Sequence, residues 1–405
     1  MQTLSARQLA PRLGLLVALT PFAVDTYLPA IPEMATALSS TVNHVSLTVP
    51  LFLIGFALGQ LIGGPLSDRF GRKRIALTGL LIFFVSSLLI MFSMQIEQLY
   101  VMRVLQAVGG GFATVVSAAI VRDLYSGKES ARVFSMIALV MLIAPLLAPG
   151  VGAMIVNISG WHQVFAFLAF YAVLLSFLVE KGLPETVSIE RQQQMKSQPW
   201  YQFALNYRQV LTHWRGLGFL IAQGFASSVL FVYITESPFI YMEKFAIDSA
   251  SFPFYFGIVV LGVMFFNRMN LGLLKRFEPR QIVFYSLLTQ VILSLSLWGY
   301  IVLATESVYV VLIFQFFILG LLGAITPNVQ SCYMDYFPEF SGTANALMGT
   351  SIFAFGGMMG LTMGGLHNGS LERVVEFILL LSLVSWLVLV NLAKVRLKEG
   401  HTSES

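Results

Sequence analysis

The sequence predicts an all-α membrane protein with about twelve transmembrane helices in two six-helix halves. Hydrophobic residues make up 57% of the 405 positions and charged residues only 11%, with a mean hydropathy of +0.79. Soluble proteins carry charges at about a quarter of their positions. The apolar residues form runs of about 20, the length that crosses a hydrocarbon core about 30 Å thick. Twelve such runs leave no room for a soluble catalytic domain, so we predict that the protein is not an enzyme.

Charged residues, prolines and glycines bound each apolar run. The expected spans are 12–32, 44–66, 75–94, 98–122, 132–157, 162–183, 214–242, 252–274, 281–304, 307–334, 343–367 and 371–394. An even number of spans puts both termini on the same side of the membrane. The first run is too long for a cleavable signal and lacks a small-residue cleavage site, so we expect it to remain as a helix.

The positive charges predict the orientation of the spans. With both termini in the cytoplasm, 21 of the 24 Lys and Arg residues lie inside or at inner helix ends. Lys244 and Arg373 then lie outside, and Arg103 lies within a span. Cytoplasmic loops of membrane proteins are enriched in Lys and Arg. We therefore expect cytoplasmic termini, and we interpret the net charge of +4 as topology rather than as affinity for nucleic acid.

The longest polar stretch follows the sixth span and predicts the domain organisation. We expect an N-terminal half over 1–183, a cytoplasmic linker over 184–213, a C-terminal half over 214–394 and a cytoplasmic tail over 395–405. Within the linker, WYQFALNYRQVL at 200–211 fits a helix lying in the membrane interface, with a disordered tether as the alternative. Secondary transporters with parallel repeats have two such halves and a substrate site near the membrane midplane.

The loop between spans two and three carries the most specific local pattern, GPLSDRFGRKR at 64–74. Gly71 permits a tight reversal of the chain. Asp68 can meet both a nearby arginine and the positive N-terminal end of a neighbouring helix. We expect Arg72 to pair with Asp123 at the inner end of span four. An ordinary positively charged inner loop is the alternative, but it does not account for the spacing.

This loop resembles G-x-x-x-D-R-x-G-R-[KR], the signature of the major facilitator superfamily. The resemblance implies the twelve-helix major facilitator fold and a cytoplasmic latch that breaks when the protein opens inward. The residues expected in the latch are Gly64, Asp68, Arg69, Gly71, Arg72 and Asp123.

Three ionisable residues lie within predicted spans, where a charge is strongly unfavourable and marks a functional candidate. At 1.5 Å per residue, Asp25, Arg103 and Glu236 all lie about 8 to 10 Å from the outer face, so we expect them to share one layer. A buried carboxyl can exchange protons near neutral pH, and a nearby Arg103 would modulate Asp25. A permanent structural Asp–Arg pair is the alternative. Three roles remain open for Glu236: binding a cationic substrate, carrying a second proton, or lying neutralised near the surface.

Several short motifs within the spans resemble the bicyclomycin- and chloramphenicol-resistance type of drug/proton antiporter. They are DTYLPAIP from Asp25, RVLQA from Arg103, PLLAPGVG at 145–152 and Ser237-Pro-Phe in span seven. The antiporter motif of span five comprises Pro145, Pro149, Gly150 and Gly152. The resemblance implies proton-coupled multidrug efflux across the bacterial inner membrane, with Asp25 and Arg103 in proton coupling. Proton-coupled uptake of a small metabolite is the alternative.

We expect acidic and aromatic side chains to line the substrate cavity. The residues predicted there are Asp25, Tyr27, Phe52, Phe56, Tyr233, Glu236 and Phe239. The chain has 34 phenylalanines, so a lipid-facing position is the alternative for any one of them. The expected partners are a small drug-like substrate, protons and membrane lipid. We expect a monomer that binds no nucleic acid.

Two glycine ladders mark faces at which helices approach closely. They comprise Gly55, Gly59 and Gly63 in span two, and Gly356, Gly360 and Gly364 in span eleven. In the family these two helices face each other, so the ladders either slide during transport or pack statically. Gly109–Gly111 lies inside a span and indicates helix packing rather than a nucleotide loop. The five histidines show no metal-ligand spacing, so we predict neither a metal nor a cofactor.

Overall fold

The structure, a computed structural model, describes residues 6–197, 199, 201–338 and 341–395. Over those residues it contains helices and no strands. The α-helices are α1 Ala6–Asp25, α2 Ile31–Ala37, α3 Val42–Ser46, α4 Thr48–Phe70, α5 Arg72–Ile90, α6 Ile96–Leu124, α7 Gly127–Ser159, α8 His162–Gly182, α9 Ile189–Ser197, α10 Tyr201–Leu211, α11 Trp214–Ser237, α12 Phe252–Leu273, α13 Pro279–Leu303, α14 Val308–Gly320, α15 Leu322–Met334, α16 Ser341–Leu366 and α17 Leu371–Asn391. A 3₁₀ turn, Leu28–Ala30, precedes α2, and a π-helical segment, Pro238–Lys244, follows α11.

Within the described part of the chain, twelve helical segments are long and apolar enough to cross a membrane. Their bounds are Ala6–Ala37, Val42–Phe70, Arg72–Ile90, Ile96–Leu124, Gly127–Ser159, His162–Gly182, Trp214–Lys244, Phe252–Leu273, Pro279–Leu303, Val308–Met334, Gly342–Leu366 and Leu371–Asn391. The predicted number of spans and the all-α membrane fold are confirmed. The first helical segment starts at Ala6, earlier than the predicted span, and Arg12 within it donates a hydrogen bond of 2.6 Å to the carbonyl of Gly182.

The chain forms two compact units. Unit 1 comprises the described residues up to 203 together with Tyr233–Gly257 and Gly357–Gly365. Unit 2 comprises Ala204–Val232, Ile258–Gly356 and the described residues from Leu366 onward. This grouping follows packing rather than chain order, so the predicted halves and linker stay predictions. The linker helix expected at 200–211 is present as α10. Its position in the membrane interface stays a prediction, and tail residues 396–405 lie outside the described part.

Glycines let the helices of unit 1 approach closely. A Cβ added to Gly79 of α5 would lie 2.5 Å from the Gly109 carbonyl oxygen of α6. A Cβ on Gly55 of α4 would lie 2.7 Å from the carbonyl oxygen of Val104, also in α6. The ladder of span two therefore packs against α6. Spans two and eleven also face each other as expected, since a Cβ on Gly357 would lie 2.5 Å from Ile54 and a Cβ on Gly360 would lie 2.8 Å from Pro50. Sliding of these faces during transport stays a prediction. The glycine run 109–111 serves helix packing, as predicted.

The two units bury polar side chains that are hydrogen-bonded within each unit. In unit 2, Asn328 donates to the side-chain oxygen of Asn270 at 2.7 Å, and Gln290 donates to the carbonyl of Ile318 at 2.9 Å. In unit 1, the Gln106 amide donates to Ser87 Oγ at 2.7 Å. Pairing of this kind offsets the loss of water around a buried polar group. At the surface just before α12, the amide and hydroxyl of Ser251 donate to the exposed Asp248 carboxylate, and these bonds lower the pKa of Asp248 because they stabilise its ionised form.

Candidate functional site

Asp25 is the last residue of α1, at a break in the first span. Pro29, four residues later, has no backbone N–H to donate to the Asp25 carbonyl, so the α-helix ends there and a 3₁₀ turn precedes α2. The side chain is buried, with 3% of Asp25 exposed, and its Oδ1 atom has no hydrogen-bond partner. An ionised, unpaired oxygen is strongly unfavourable when buried. A proton or a cationic ligand would therefore stabilise this carboxyl.

Arg103 lies on α6 and is completely buried. Its Nη1 donates to the carbonyl of Ala23 at 3.1 Å and to the side-chain oxygen of Gln106 at 2.7 Å. The Gln106 amide in turn donates to Ser87 Oγ at 2.7 Å, and that hydroxyl donates to the carbonyl of Phe83. This chain of hydrogen bonds holds the guanidinium in one orientation. Its Nε and Nη2 atoms have no hydrogen-bond partner.

Aromatic rings surround the guanidinium. Its Cζ lies 4.2 Å from the ring centroid of Tyr27 and 4.6 Å from that of Phe52, with Phe165 at 6.0 Å. Each such contact is worth about 0.5 to 2 kcal/mol, with the larger values at desolvated sites. The Tyr27 hydroxyl lies 2.8 Å from Thr48 Oγ1. Thr48 donates its own proton to a backbone carbonyl, so Tyr27 is the donor in this bond.

Asp25 and Arg103 lie near each other without forming an ion pair among the described residues. Arg103 binds the carbonyl of Ala23, two residues before Asp25, and not the carboxylate. Asp25 interacts electrostatically with Tyr27 and with Tyr233 of α11. The structure therefore does not contain the Asp25–Arg103 ion pair that was the alternative. The role of Arg103 in proton coupling stays a prediction.

The remaining residues predicted for the cavity lie around this centre or on the end of α11. Phe56 stacks on Phe52 with ring centroids 6.2 Å apart. The ring of Tyr233 lies 5.8 Å from Phe256 and 6.4 Å from Tyr241. Glu236, only 1% exposed, follows one turn after Tyr233.

The end of α11 leads directly into the π-helical segment. Phe239 is buried within that segment, immediately after Pro238. The structure thus brings Asp25, Tyr27, Phe52 and Arg103 together, with Tyr233 in electrostatic range. The substrate cavity itself stays a prediction.

The Pro/Gly motif of α7 lies against the end of α1. Pro145 and Pro149 are both inside the helix, and Pro149 is buried. A Cβ on Gly152 would overlap the carbonyl oxygen of Thr26, the residue that follows Asp25. A Cβ on Gly150, by contrast, would meet no atom of the described residues within 4 Å. One glycine of the motif therefore sets how closely α7 approaches the candidate proton site.

The predicted latch residues form one cluster at the junction of α4 and α5. Arg72 pairs with Asp68 at 2.6 Å and with Asp123 of α6 at 3.3 Å, so the expected Arg72–Asp123 contact is present. Arg72 also donates to Ser67 Oγ at 2.6 Å, and Ser67 donates to the carbonyl of Gly64. The side chain of Arg69 is buried at the same helix end. The opening and closing of this cluster stay predictions.

Glu185, which the sequence reasoning missed, completes the cluster. Its carboxylate accepts the backbone amides of Arg72 at 2.9 Å and Lys73 at 3.2 Å, the first two residues of α5. Gly71 has a φ of +99°, and a Cβ there would lie 2.5 Å from Glu185 Oε2. The N-terminal end of α5 therefore binds the carboxylate of Glu185. The available signal was the pair Glu185–Thr186 directly after span six, since Thr186 donates to Asp123 at 2.6 Å.

The comparison with known families agrees with this geometry. The model of the Major Facilitator Superfamily matches residues 13–361. The chain belongs to the major facilitator superfamily. It is therefore a multi-pass membrane protein of a transporter family.

Individual relatives are consistent with the motif resemblance. A "Bicyclomycin resistance protein homolog" of Haemophilus influenzae is 29% identical over 352 residues, 86% of each chain. A "Chloramphenicol resistance protein" of Pseudomonas aeruginosa is 31% identical over 62% of this chain and 58% of its own length. A crystal structure of a D-xylose–proton symporter superposes with a TM-score of 0.74, covering 96% of this chain and 97% of its own. At 17% identity, that likeness shows the fold alone.

Proposed function

We propose that this protein is a proton-driven antiporter that exports small, largely apolar drug-like compounds across the bacterial inner membrane. One observation carries the proposal: Asp25 places a buried carboxyl with an unpaired oxygen at a break in the first span. Such a group gains stability from a proton, and it also gains from a polar or cationic ligand atom. Proton and substrate can therefore compete for one site, which is the requirement for exchange.

The surroundings of Asp25 support this role. Arg103 is fixed beside the same turn of α1 and leaves the carboxylate unpaired, so a protonatable group is kept next to a permanent positive charge. Relatives named for bicyclomycin and chloramphenicol resistance support drug-like compounds as the substrate class.

Alternating access would couple this site to the latch. In our proposal the cluster of Arg72, Asp68, Asp123 and Glu185 holds the cytoplasmic side closed, and it breaks when the protein opens inward. Asp25 would take up a proton from the outside. The bias of Lys and Arg supports cytoplasmic placement of both termini.

Inverted membrane vesicles test the proposal. Respiration acidifies their lumen, which corresponds to the outside of the cell, and a pH-sensitive dye reports the gradient. Adding chloramphenicol, or another compound from a drug panel, should release protons from the lumen while the compound accumulates inside. Compound and protons moving in the same direction would instead indicate symport. No proton movement with any compound of the panel would contradict proton coupling.

A further inference from the structure

We infer that unit 1 carries a binding site for one anionic phospholipid at the helix ends beside the latch. A cavity of about 520 Å³ lies at the start of α5, and its walls come from the end of α4, the first turns of α5, the end of α8 and the linker helix α9. Small-molecule sites have volumes of about 300 to 1,000 Å³. None of the residues that line the cavity belongs to the cluster around Asp25. In the proposed orientation of the spans, this end lies at the cytoplasmic surface of the membrane.

The cavity continues into the lipid-facing side of α5. Leu77 and Leu81 line it one turn apart, and Leu81 is 60% exposed. Val85, one turn further along the same face, is 44% exposed. Apolar side chains exposed within a membrane span contact acyl chains. Arg74 lies about 10 Å from Leu81 along the helix, at the charged end of this face. A charged end followed by an apolar strip matches the shape of a phospholipid rather than that of a free ion.

The acidic side chains at the cavity are already bound. Lys73 pairs with Glu180 at 3.3 Å. The carboxylate of Glu185 accepts the first two backbone amides of α5. Arg74 is exposed, and its guanidinium forms no ion pair or hydrogen bond with the described residues. The described part of the cavity therefore leaves one positive charge uncompensated.

A second cation borders the cavity from the linker. The ammonium of Lys196 on α9 lies 5.4 Å from the centroid of the Phe70 ring, and Phe70 lines the cavity. Like Arg74, Lys196 forms no ion pair with the described residues. Basic pockets between transmembrane helices on the cytoplasmic side bind anionic headgroups, and the fork of an arginine matches the oxygens of a phosphate. The two cations therefore favour a ligand with a phosphate and a net negative charge.

The lipid class follows from these contacts. Phosphatidylglycerol and cardiolipin carry a net negative charge, whereas phosphatidylcholine and phosphatidylethanolamine add a cationic group for which the described cavity has no unbound carboxylate. A soluble phosphate has the same anionic chemistry but gains nothing from Leu77 and Leu81. A phosphate that contacts Arg74 on α5 and Lys196 on α9 would tie the linker helix to the helix that begins at the latch. Bound lipid would then stabilise this end of the unit.

Native mass spectrometry of the full-length protein in detergent tests the site. Each Lys or Arg near an anionic lipid changes its affinity about fivefold. Dioleoyl-phosphatidylglycerol should bind one per chain, and dioleoyl-phosphatidylcholine should bind at least about fivefold more weakly. Arg74→Gln and Lys196→Gln should each weaken phosphatidylglycerol binding about fivefold, and Arg74→Lys should retain most of it. Arg276→Gln is the matched control, since Arg276 is an exposed arginine between α12 and α13 that does not line the cavity.

Two further measurements identify the ligand. Glycerol 3-phosphate, which has the phosphate but no acyl chains, should not compete with phosphatidylglycerol. Phosphatidylglycerol should raise the thermal unfolding midpoint of wild type, because a ligand that binds only the folded state stabilises it. The midpoint of each variant without lipid reports whether that variant is folded.

Four results would overturn the inference. They are equal binding of the two lipids by wild type, equal losses in Arg74→Gln and Arg276→Gln, competition by glycerol 3-phosphate, and no rise in the wild-type midpoint. Equal losses would indicate a general attraction of anionic lipid to basic residues, and competition would assign the cavity to a soluble phosphate. None of these measurements involves drug export, so the proposed function is tested separately.

Discussion

Gly152→Ala tests whether α7 sets the position of the turn that carries Asp25. The added methyl group would overlap the backbone carbonyl oxygen of Thr26, and a backbone atom cannot move aside as a flexible side chain does. Overpacking of this kind destabilises by about 1 to 3 kcal/mol. Alanine regains up to about 1 kcal/mol over glycine within a helix. We therefore expect a net destabilisation of about 1 to 2 kcal/mol.

Gly150→Ala is the matched control on the same helix. Gly150 is exposed, and its added methyl group would meet no described atom within 4 Å. Gly150→Ala should therefore show only the higher helix propensity of alanine. Its thermal unfolding midpoint in detergent should equal or exceed that of wild type. Gly152→Ala should unfold at a lower temperature and export drug more slowly, because its turn at Thr26 is displaced. Equal midpoints for the two variants would refute the packing argument.

Two further changes probe the latch and the buried cation. Glu185→Gln removes the charge that binds the first amides of α5, so the free energy of unfolding should fall by about 1 to 2 kcal/mol. Glu376→Gln, which breaks an exposed pair with Arg373, should change it by less than about 0.5 kcal/mol, and equal effects would count against the cap. Arg103→Lys keeps the charge but loses the planar group between Tyr27 and Phe52, so we expect at least about tenfold slower drug export at wild-type expression. Unchanged export by this variant would show that the stacking is dispensable.

The sequence was sufficient for the number of spans, because each crossing needs an apolar run that few other structures require. The contact between Arg72 and Asp123 could also be predicted, because both residues lie in charged segments at helix ends. Depths counted along the helices at 1.5 Å per residue placed Asp25 and Arg103 in one layer. These features depend on local composition or on short-range pattern.

Features that depend on packing between distant segments were not readable. Glu185 meets the amide of Arg72 across 113 positions, and its place directly after span six does not show which helix end it caps. The rotation of α6 decides whether Arg103 reaches Asp25 or the Ala23 carbonyl, and a depth counted along the helix does not give that rotation. The glycine ladder of span two indicated close approach but did not show that its glycines face α6, while Pro50 and Ile54 of the same helix meet span eleven. A spacing of four residues defines a helix face and leaves the helix that contacts it undetermined.

Asp25→Asn tests the central claim most directly. The variant keeps the size of the side chain and removes the exchangeable proton, so it should fold normally and still bind drug. In inverted vesicles it should show no drug-induced proton movement and no gradient-driven accumulation. Asp248→Asn, a change at an exposed acid outside the spans, should behave as wild type. Full proton-coupled export by Asp25→Asn would contradict the account.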